Sequence, residues 1–201
     1  METDELDLHR CLEEARAFHG GLCGGAIMGT RMAIAGCQAI GITDPRGKDG
    51  KNLIVYVETD RCPADGILAT TGCHPGKRNM KILDYGKMAA TFINLKTGKA
   101  VRVNAKNREG DRKVLREEIE NAPDTEDRLT MPAEDLFEIR EVRVELKPQD
   151  MPGKPIQIVT CSACNERIMD MREIYREGRV LCRPCADNLF YYSPIEQDPS
   201  D

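Results

Sequence analysis

The fold is decided by residues 58–84, which read ETDRCPADGILATTGCHPGKRNMKILD and continue a β-rich run that begins at residue 52. Cys62 precedes Pro63, and proline favours the first position of a helix, so Cys62 is predicted to be the N-cap. Gly72 is a natural helix stop. The stretch therefore predicts a strand, a short helix and a polar loop. A thiol at Cys62 is expected at the positive end of the helix, which favours the thiolate that binds metals.

The polar loop after this helix carries further groups capable of chemistry. Cys73 lies about three helical turns after Cys62, and Gly76, Lys77 and Asn79 follow it. Two interpretations of the loop stay open. Its backbone amides and the lysine bind an anionic cofactor or substrate, or it is an exposed basic turn.

Composition and charge restrict the class of protein. The net charge of −5 argues against a nucleic-acid partner, which would require a basic face. Nine cysteines, an odd number, fit a reducing compartment better than a disulfide framework. The acidic start of the chain lacks the pattern of a signal peptide, and no apolar run approaches the roughly 20 residues of a membrane span. We therefore expect a cytoplasmic protein without a membrane partner.

Periodicity predicts the remaining elements of an α+β domain with helices packed on a mainly antiparallel sheet. Residues 6–18 form an amphipathic helix and residues 26–41 a buried helix, in which Gly29 and Gly36 allow close backbone approach. The other predictions are a hairpin at residues 88–105, a charged surface helix at 108–121, a capping box from Thr130 to Glu134 and a half-buried strand at 137–146.

A domain boundary is predicted at KPQDMPGKP, residues 147–155, which holds three prolines and a glycine. The sequence thus divides into a core domain at residues 1–147, a proline-rich linker at 148–155 and a small module at 156–201.

The small module carries two C-x-x-C pairs separated by seventeen residues, a spacing typical of a structural zinc site; its cysteines are Cys161, Cys164, Cys182 and Cys185. Reduced cysteines without a metal are the alternative. Because the module has few large apolar groups, zinc binding is expected to supply folding free energy. The second pair leads into ADNLFYY, a predicted helix, which suggests a treble clef rather than a plain ribbon, although the spacing allows both.

The module is acidic, with five arginines, no lysine and eight acidic residues in residues 156–201. We therefore expect it to bind a protein rather than nucleic acid. Phe190, Tyr191 and Tyr192 are a candidate contact patch, with burial in the core as the alternative.

A second metal site is predicted in the first domain. His19 and Cys23 stand four residues apart among glycines that bring the backbone close. If the strand ending near residue 60 packs beside them, Cys62 supplies a third ligand and one position stays open, as in catalytic sites. A helix-end histidine and a small buried cysteine explain the pair equally well. Cys11 and Cys37 are interpreted as core residues.

These motifs together resemble the family of the formylmethanofuran dehydrogenase E-subunit. The matching features, spread over residues 18–103, are FHG with Cys23, GxR at residues 29–31, ETDRC with Asp65, TGC with GKxN, DYGK and TGKAVRV. The resemblance implies a dimeric α+β core with a metal-capable cleft of His19, Cys23 and Cys62. Asp65, Cys73 and Lys77 are implied nearby, and a treble-clef finger follows as in some members. Gly21 and Gly24 depart from the family pattern HGHxCPG.

Three functions compete. The first is an accessory metalloprotein of one-carbon, molybdenum or tungsten enzyme metabolism, including methanogenesis, with an oxidoreductase or maturation partner on the zinc finger. The second is a free-standing enzyme, in which a transition metal acts with Cys62, Asp65 carries protons and Lys77 holds an anionic substrate. The third is a thiol or metal sensor that uses Cys62 and Cys73.

Overall fold

The computed structural model describes residues 6–107, 113, 115–117 and 125–193. The chain divides into two compact units with the boundary between Leu146 and Lys147. The helices of the first unit are α1 (Leu8–His19), α2 (Gly24–Ala39), α3 (Pro63–Thr71), α4 (Thr125–Thr130) and α5 (Ala133–Leu136). Its strands are β1 (Leu53–Val57), β2 (Met80–Ile82), β3 (Ala89–Asn94), β4 (Ala100–Ala105) and β5 (Phe137–Glu141).

The strands form one sheet in the order β2-β1-β3-β4-β5. Every neighbouring pair is antiparallel except β1 and β2, which run parallel and are connected through α3. The predicted α+β class and the mainly antiparallel sheet are confirmed. The sequence did not predict β2, because this three-residue strand lies inside a stretch whose composition is that of a loop.

Helix α2 is the centre of the fold and packs closely on both the sheet and α3. A Cβ atom at Gly36 would lie 2.2 Å from the Phe92 ring, and one at Gly29 would lie 2.1 Å from the carbonyl oxygen of Pro63. A Cβ atom at Gly66 of α3 would likewise lie 2.3 Å from the carbonyl oxygen of Ala26. The predicted close approach at Gly29 and Gly36 is therefore confirmed, and it brings the N-terminal ends of α2 and α3 together.

On the opposite face of the sheet, the segment that follows β5 covers a small apolar cluster. The predicted strand at residues 137–146 pairs with β4 only as far as Glu141, with one further hydrogen bond from the Val142 amide to Ala100. Beyond it, Val142, Val144 and Leu146 pack half-buried against a cluster of Ile54, Ile93 and Ala100. Their alternation, which predicted a longer strand, instead places apolar side chains over this face.

Two other predictions have different outcomes. The capping box is wrong, because Thr130 is the last residue of α4, and α5 starts after Pro132 with no side-chain cap among the described residues. The surface helix at 108–121 lies mostly outside the described residues. Within the described part of the chain, no helix is long and apolar enough to cross a membrane.

The second unit contains two short hairpins and a helix. Strands β6 (Ile158–Thr160) and β7 (Arg167–Met169) flank the first cysteine pair, and β8 (Ile174–Arg176) and β9 (Arg179–Leu181) lead into α6 (Arg183–Asp187) at the second. A cysteine knuckle, a hairpin and a helix in this order form a treble clef. The helix predicted at ADNLFYY is wrong for residues 188–192. Helix α6 starts earlier, at Arg183, and ends at Asp187, because Asn188 adopts a left-handed conformation (φ 53°), and residues 189–192 are exposed.

Candidate functional site

The turn between α1 and α2 positions His19 and Cys23. Helix α1 ends at Gly20, whose left-handed conformation (φ 81°) reverses the chain directly after His19. Cys23 is the N-cap of α2, and its Sγ accepts a hydrogen bond from the Ala26 amide at 3.4 Å. The turn thus places an imidazole and a thiol side by side at the positive end of the buried helix.

Helix α3 brings Cys62 next to His19 and Cys23. It is the N-cap of α3, as predicted, and the close contact of Gly29 with Pro63 brings it to the start of α2. A Cβ atom at Gly25 would lie 2.9 Å from the Cβ of Cys62, so only glycine leaves room for this approach. The possible ligand atoms of His19, Cys23 and Cys62 consequently lie within 4.8 Å of one another.

The distances in this cluster suit a transition metal. His19 Nε2 lies 3.5 Å from Cys23 Sγ. A tetrahedral zinc ion with its usual bond lengths would separate a nitrogen and a sulfur ligand by about 3.5 Å. The other ring nitrogen, Nδ1, lies 2.8 Å from Asp65 Oδ2. A carboxylate in this position fixes the orientation of a metal-binding imidazole and raises its basicity.

The hydrogen bonds of the cluster shift the pKa values of its members in different directions. The hydrogen bond to Asp65 raises the pKa of His19. Burial tends to raise the pKa of Cys23, but hydrogen bonds from the Ala26 amide and the Cys62 thiol outweigh it and lower the pKa. Burial and the neighbouring Cys23 raise the pKa of Cys62.

The expectation that Cys62 favours the thiolate is therefore wrong. Cys23 is the thiol whose pKa is lowered. Cys23 has an extended backbone (φ −90°, ψ 163°), which turns its sulfur over the first amides of α2. Cys62 has a helical backbone (φ −40°, ψ −34°), and among the described residues its thiol caps no amide of α3.

The other predicted site residues lie beyond the opposite end of α3. This nine-residue helix is about 13 Å long. Cys73 is fully buried, and burial raises its pKa to about 11. Asn79 is also buried, and its Oδ1 accepts the amide hydrogen of His74 at 2.9 Å, which closes the loop on itself. Gly76 and Lys77 are exposed. These residues are thus not brought together with His19, Cys23 and Cys62.

Two arginines that the sequence analysis did not assign hold elements around the site. Arg102 forms a bidentate ion pair with the buried Glu58, with both N–O distances at 2.7 Å, and this lowers the pKa of Glu58. Arg31 donates to the carbonyl oxygen of Arg128 at 2.7 Å, which fastens α4 to α2. Arg102 lies in the motif TGKAVRV and Arg31 in the motif GxR. Their place in these motifs was the sequence signal that could have identified them.

A cleft of about 370 Å³ opens at the carboxyl ends of the parallel strands β1 and β2. It is lined by residues that follow each strand, including Asp60, Arg61 and Asp84, and by Pro63 of α3. Ligands of open α/β sheets commonly bind at such strand ends.

The four cysteines of the second unit also lie within 4.8 Å of one another. The sulfurs of Cys164 and Cys182 are 3.9 Å apart, close to the roughly 3.8 Å expected between two sulfurs on a tetrahedral zinc ion. Backbone amides of Cys164 and Cys182 lower the pKa of Cys161 to about 6. The cluster therefore fits a closed four-thiolate metal site.

Together these features define an α+β domain with a histidine- and cysteine-lined site, followed by a four-cysteine treble clef. The model of the FmdE family, described as "FmdE, Molybdenum formylmethanofuran dehydrogenase operon", matches residues 18–146. The chain belongs to this family, which confirms the resemblance noted from its motifs.

Two similar proteins extend this result. A protein of Archaeoglobus fulgidus named "Probable S-adenosyl-L-methionine-binding protein" is 29% identical over 211 aligned residues, covering 94% of this chain and 55% of that protein. The chain therefore spans about half the length of this curated relative. The crystal structure of a "tungsten formylmethanofuran dehydrogenase subunit e (fmde)-like protein" from Syntrophus aciditrophicus matches with a TM-score of 0.59 and 23% identity, covering 92% of this chain and 95% of that one. This second match supports the fold alone.

Proposed function

We propose that this FmdE-like protein is a metal-binding accessory protein in which His19, Cys23 and Cys62 hold a transition metal. The observation that carries the proposal is the position of His19 between Cys23 and Asp65, at 3.5 Å and 2.8 Å. Three ligands and an orienting carboxylate are the arrangement of a metal centre with one open position. A metal bound there would act as a Lewis acid toward a ligand at that position.

The second part of the proposal concerns the treble clef. Cys161, Cys164, Cys182 and Cys185 would hold a structural zinc ion, and the module would dock on an oxidoreductase or maturation partner. Support for docking comes from its acidic composition and from the exposed apolar side chains after α6, with Tyr191 98% exposed. A homodimer and a cytoplasmic location stay predictions.

A free-standing enzyme has less support from the geometry. Asp65, its expected proton carrier, already bonds His19, and Lys77 lies beyond the other end of α3. A sensor that pairs Cys62 with Cys73 has the same difficulty, because α3 separates the two thiols and Cys73 is buried.

A second candidate is binding of S-adenosylmethionine in the cleft at the ends of β1 and β2. The name of the Archaeoglobus relative suggests this ligand. Asp60 and Asp84 in the cleft suit its hydroxyl and cationic groups. Equilibrium dialysis with the labelled compound tests the idea, and retention that is unchanged in Asp84→Ala would contradict it.

Metal stoichiometry by mass spectrometry under native conditions tests the main proposal. We expect two metals per chain in the wild type, one in Cys62→Ala and two in the matched control Cys73→Ala. One metal in all three would restrict metal binding to the treble clef and overturn the proposed core site. The docking role is tested by affinity capture, in which recovery of an oxidoreductase partner should depend on Cys161 and Cys182.

A further inference from the structure

The two thiols of the core site are also neighbours of each other. Cys23 and Cys62 come from the N-terminal ends of α2 and α3, and their sulfurs lie within 4.8 Å. Gly25 leaves the space between them open, since a Cβ atom there would lie 2.9 Å from Cys62 Cβ and 3.7 Å from Cys23 Sγ. A disulfide requires an S–S distance of about 2.0 Å and Cβ atoms about 3.5–4.5 Å apart. Bond formation requires the two sulfurs to move closer together, and rotation about χ1 of each cysteine moves its sulfur without moving its Cβ atom.

The remaining cysteines of the first unit are poor competitors for this pairing. Cys11, Cys37 and Cys73 are each 1% exposed or less. Cys23, in contrast, is exposed, and Cys62 is half-buried beside it. An oxidant in solution therefore reaches Cys23 first, and the nearest sulfur that can resolve the oxidised residue is that of Cys62.

We propose that Cys23 and Cys62 form a reversible disulfide, so that the disulfide and a bound metal are alternative states of one site. The metal half of this inference rests on the proposed function, whereas the disulfide half stands on the geometry of the two thiols. Oxidation would remove two of the three ligands at once. His19 alone would then remain, and a single imidazole does not retain the metal.

The oxidant that suits the step is hydrogen peroxide. The sulfur of Cys23 attacks one peroxide oxygen, the O–O bond breaks, and a sulfenic acid forms while the other oxygen leaves as water. The sulfur of Cys62 then attacks the sulfur of Cys23, the S–O bond breaks, and a second water leaves. The two thiols lose two electrons and two protons, and the peroxide is reduced to two water molecules.

The test is a titration of the reduced, metal-loaded full chain with hydrogen peroxide. Free thiols are then alkylated under denaturing conditions, and the peptides are mapped, which assigns every disulfide to its own cysteines. We expect a peptide crosslinked between Cys23 and Cys62, one equivalent of released metal, and recovery of both thiols with dithiothreitol. Cys73→Ser should behave as the wild type. Cys62→Ser should show no crosslink and accumulate sulfenic or sulfinic acid at Cys23.

The outcomes separate this inference from the proposed function. If the wild type loads two metals and then forms no crosslink on peroxide treatment, the proposed disulfide is overturned. Oxidation of Cys23 to sulfinic acid in the wild type would also overturn it. A crosslink in a chain that never binds metal in its core would support the disulfide and contradict the proposed metal site. Circular dichroism of each variant excludes misfolding as the cause.

Discussion

His19 donates its Nδ1–H to Asp65 Oδ2 at 2.8 Å, and its Nε2 faces the sulfur of Cys23 at 3.5 Å. The imidazole is thus held from the side of α3 while it is attached to the end of α1. Its orientation depends on the packing of two helices, and the site is therefore built by the tertiary structure.

Removing the carboxylate should weaken the proposed core metal site. In Asp65→Ala we expect metal affinity to fall about 10- to 100-fold, because the imidazole loses the partner that orients it and raises its basicity. Competition with a chromogenic chelator measures the change. Asp60→Ala is the matched control, since Asp60 is also acidic and close in sequence but lines the neighbouring cleft. Equal losses in both variants would contradict a specific role for Asp65.

Adding one methyl group at the contact of α2 and α3 should disturb both stability and the site. Gly29→Ala places a Cβ atom 2.1 Å from the Pro63 carbonyl oxygen, and overpacking of this kind typically costs about 1–3 kcal/mol. Because the helices must separate, Cys62 should also move away from Cys23, and core metal binding should fall. Urea unfolding and metal stoichiometry measure the two effects.

Gly76→Ala provides the control for this substitution. Among the described residues, no atom outside Gly76 and its two chain neighbours lies within 4 Å of a Cβ atom at Gly76. Its stability should stay within about 0.5 kcal/mol of the wild type, as is usual for surface changes. A similar loss in both variants would mean that helix contact is not the cause.

The ion pair of Glu58 and Arg102 predicts a pH dependence of stability. Arg102 lowers the pKa of Glu58 in the folded protein. The pair therefore stabilises the fold fully above the unfolded pKa of about 4.3, and this contribution is lost as the pH falls through the lower folded value. Glu58→Gln should cost about 1–3 kcal/mol at neutral pH, because the half-buried guanidinium of Arg102 loses its charged partner.

Urea unfolding at neutral pH and at about pH 3 tests this prediction. The difference between wild type and Glu58→Gln should shrink in acid, since protonated Glu58 resembles glutamine. Glu138→Gln removes the exposed pair with Arg140 and should change little at either pH. A difference for Glu58→Gln that is independent of pH would assign its effect to packing.

The cysteines of the core should differ strongly in reactivity. In reduced, metal-free protein at neutral pH, a short pulse of iodoacetamide should label Cys23 fastest, because its pKa is lowered and it is exposed. Cys37 should react only through unfolding, because burial raises its pKa strongly. Peptide mapping distinguishes the sites, and denatured protein, in which both thiols should react alike, is the control. Equal rates in the folded protein would contradict the assigned environments.

Much of the fold could be predicted from the sequence because its signals are local. The buried character of α2, the stop at Gly72 and the hairpin of β3 and β4 each follow from a few neighbouring residues. Strand β2 could not be predicted, because its pairing depends on the position of β1 and not on its own composition. The exit of residues 142–146 from the sheet likewise depends on which apolar surface is left uncovered.

The sequence predicted that His19, Cys23 and Cys62 lie together, as they do. It did not predict that Cys73, Gly76, Lys77 and Asn79 lie elsewhere, nor did it predict the electrostatics of the cluster. Spacing and glycines pointed to His19 and Cys23, and the helix start pointed to Cys62. Which thiol has the lower pKa depends on hydrogen bonds made after the helices pack, as with the Ala26 amide. The link from His19 to Asp65 spans forty-six residues of sequence, and no local pattern reveals it.

The short turn between α1 and α2 has a thermodynamic consequence. His19 and Cys23 are close in any compact conformation of the turn, whereas Cys62 joins them only when β1 and α3 have formed. If these residues bind metal as proposed, an unfolded chain would keep the affinity that two ligands supply. Ligand binding stabilises a fold only by the difference between its affinities for the folded and unfolded states. We thus expect metal to raise the unfolding temperature by less than its affinity for the native protein implies.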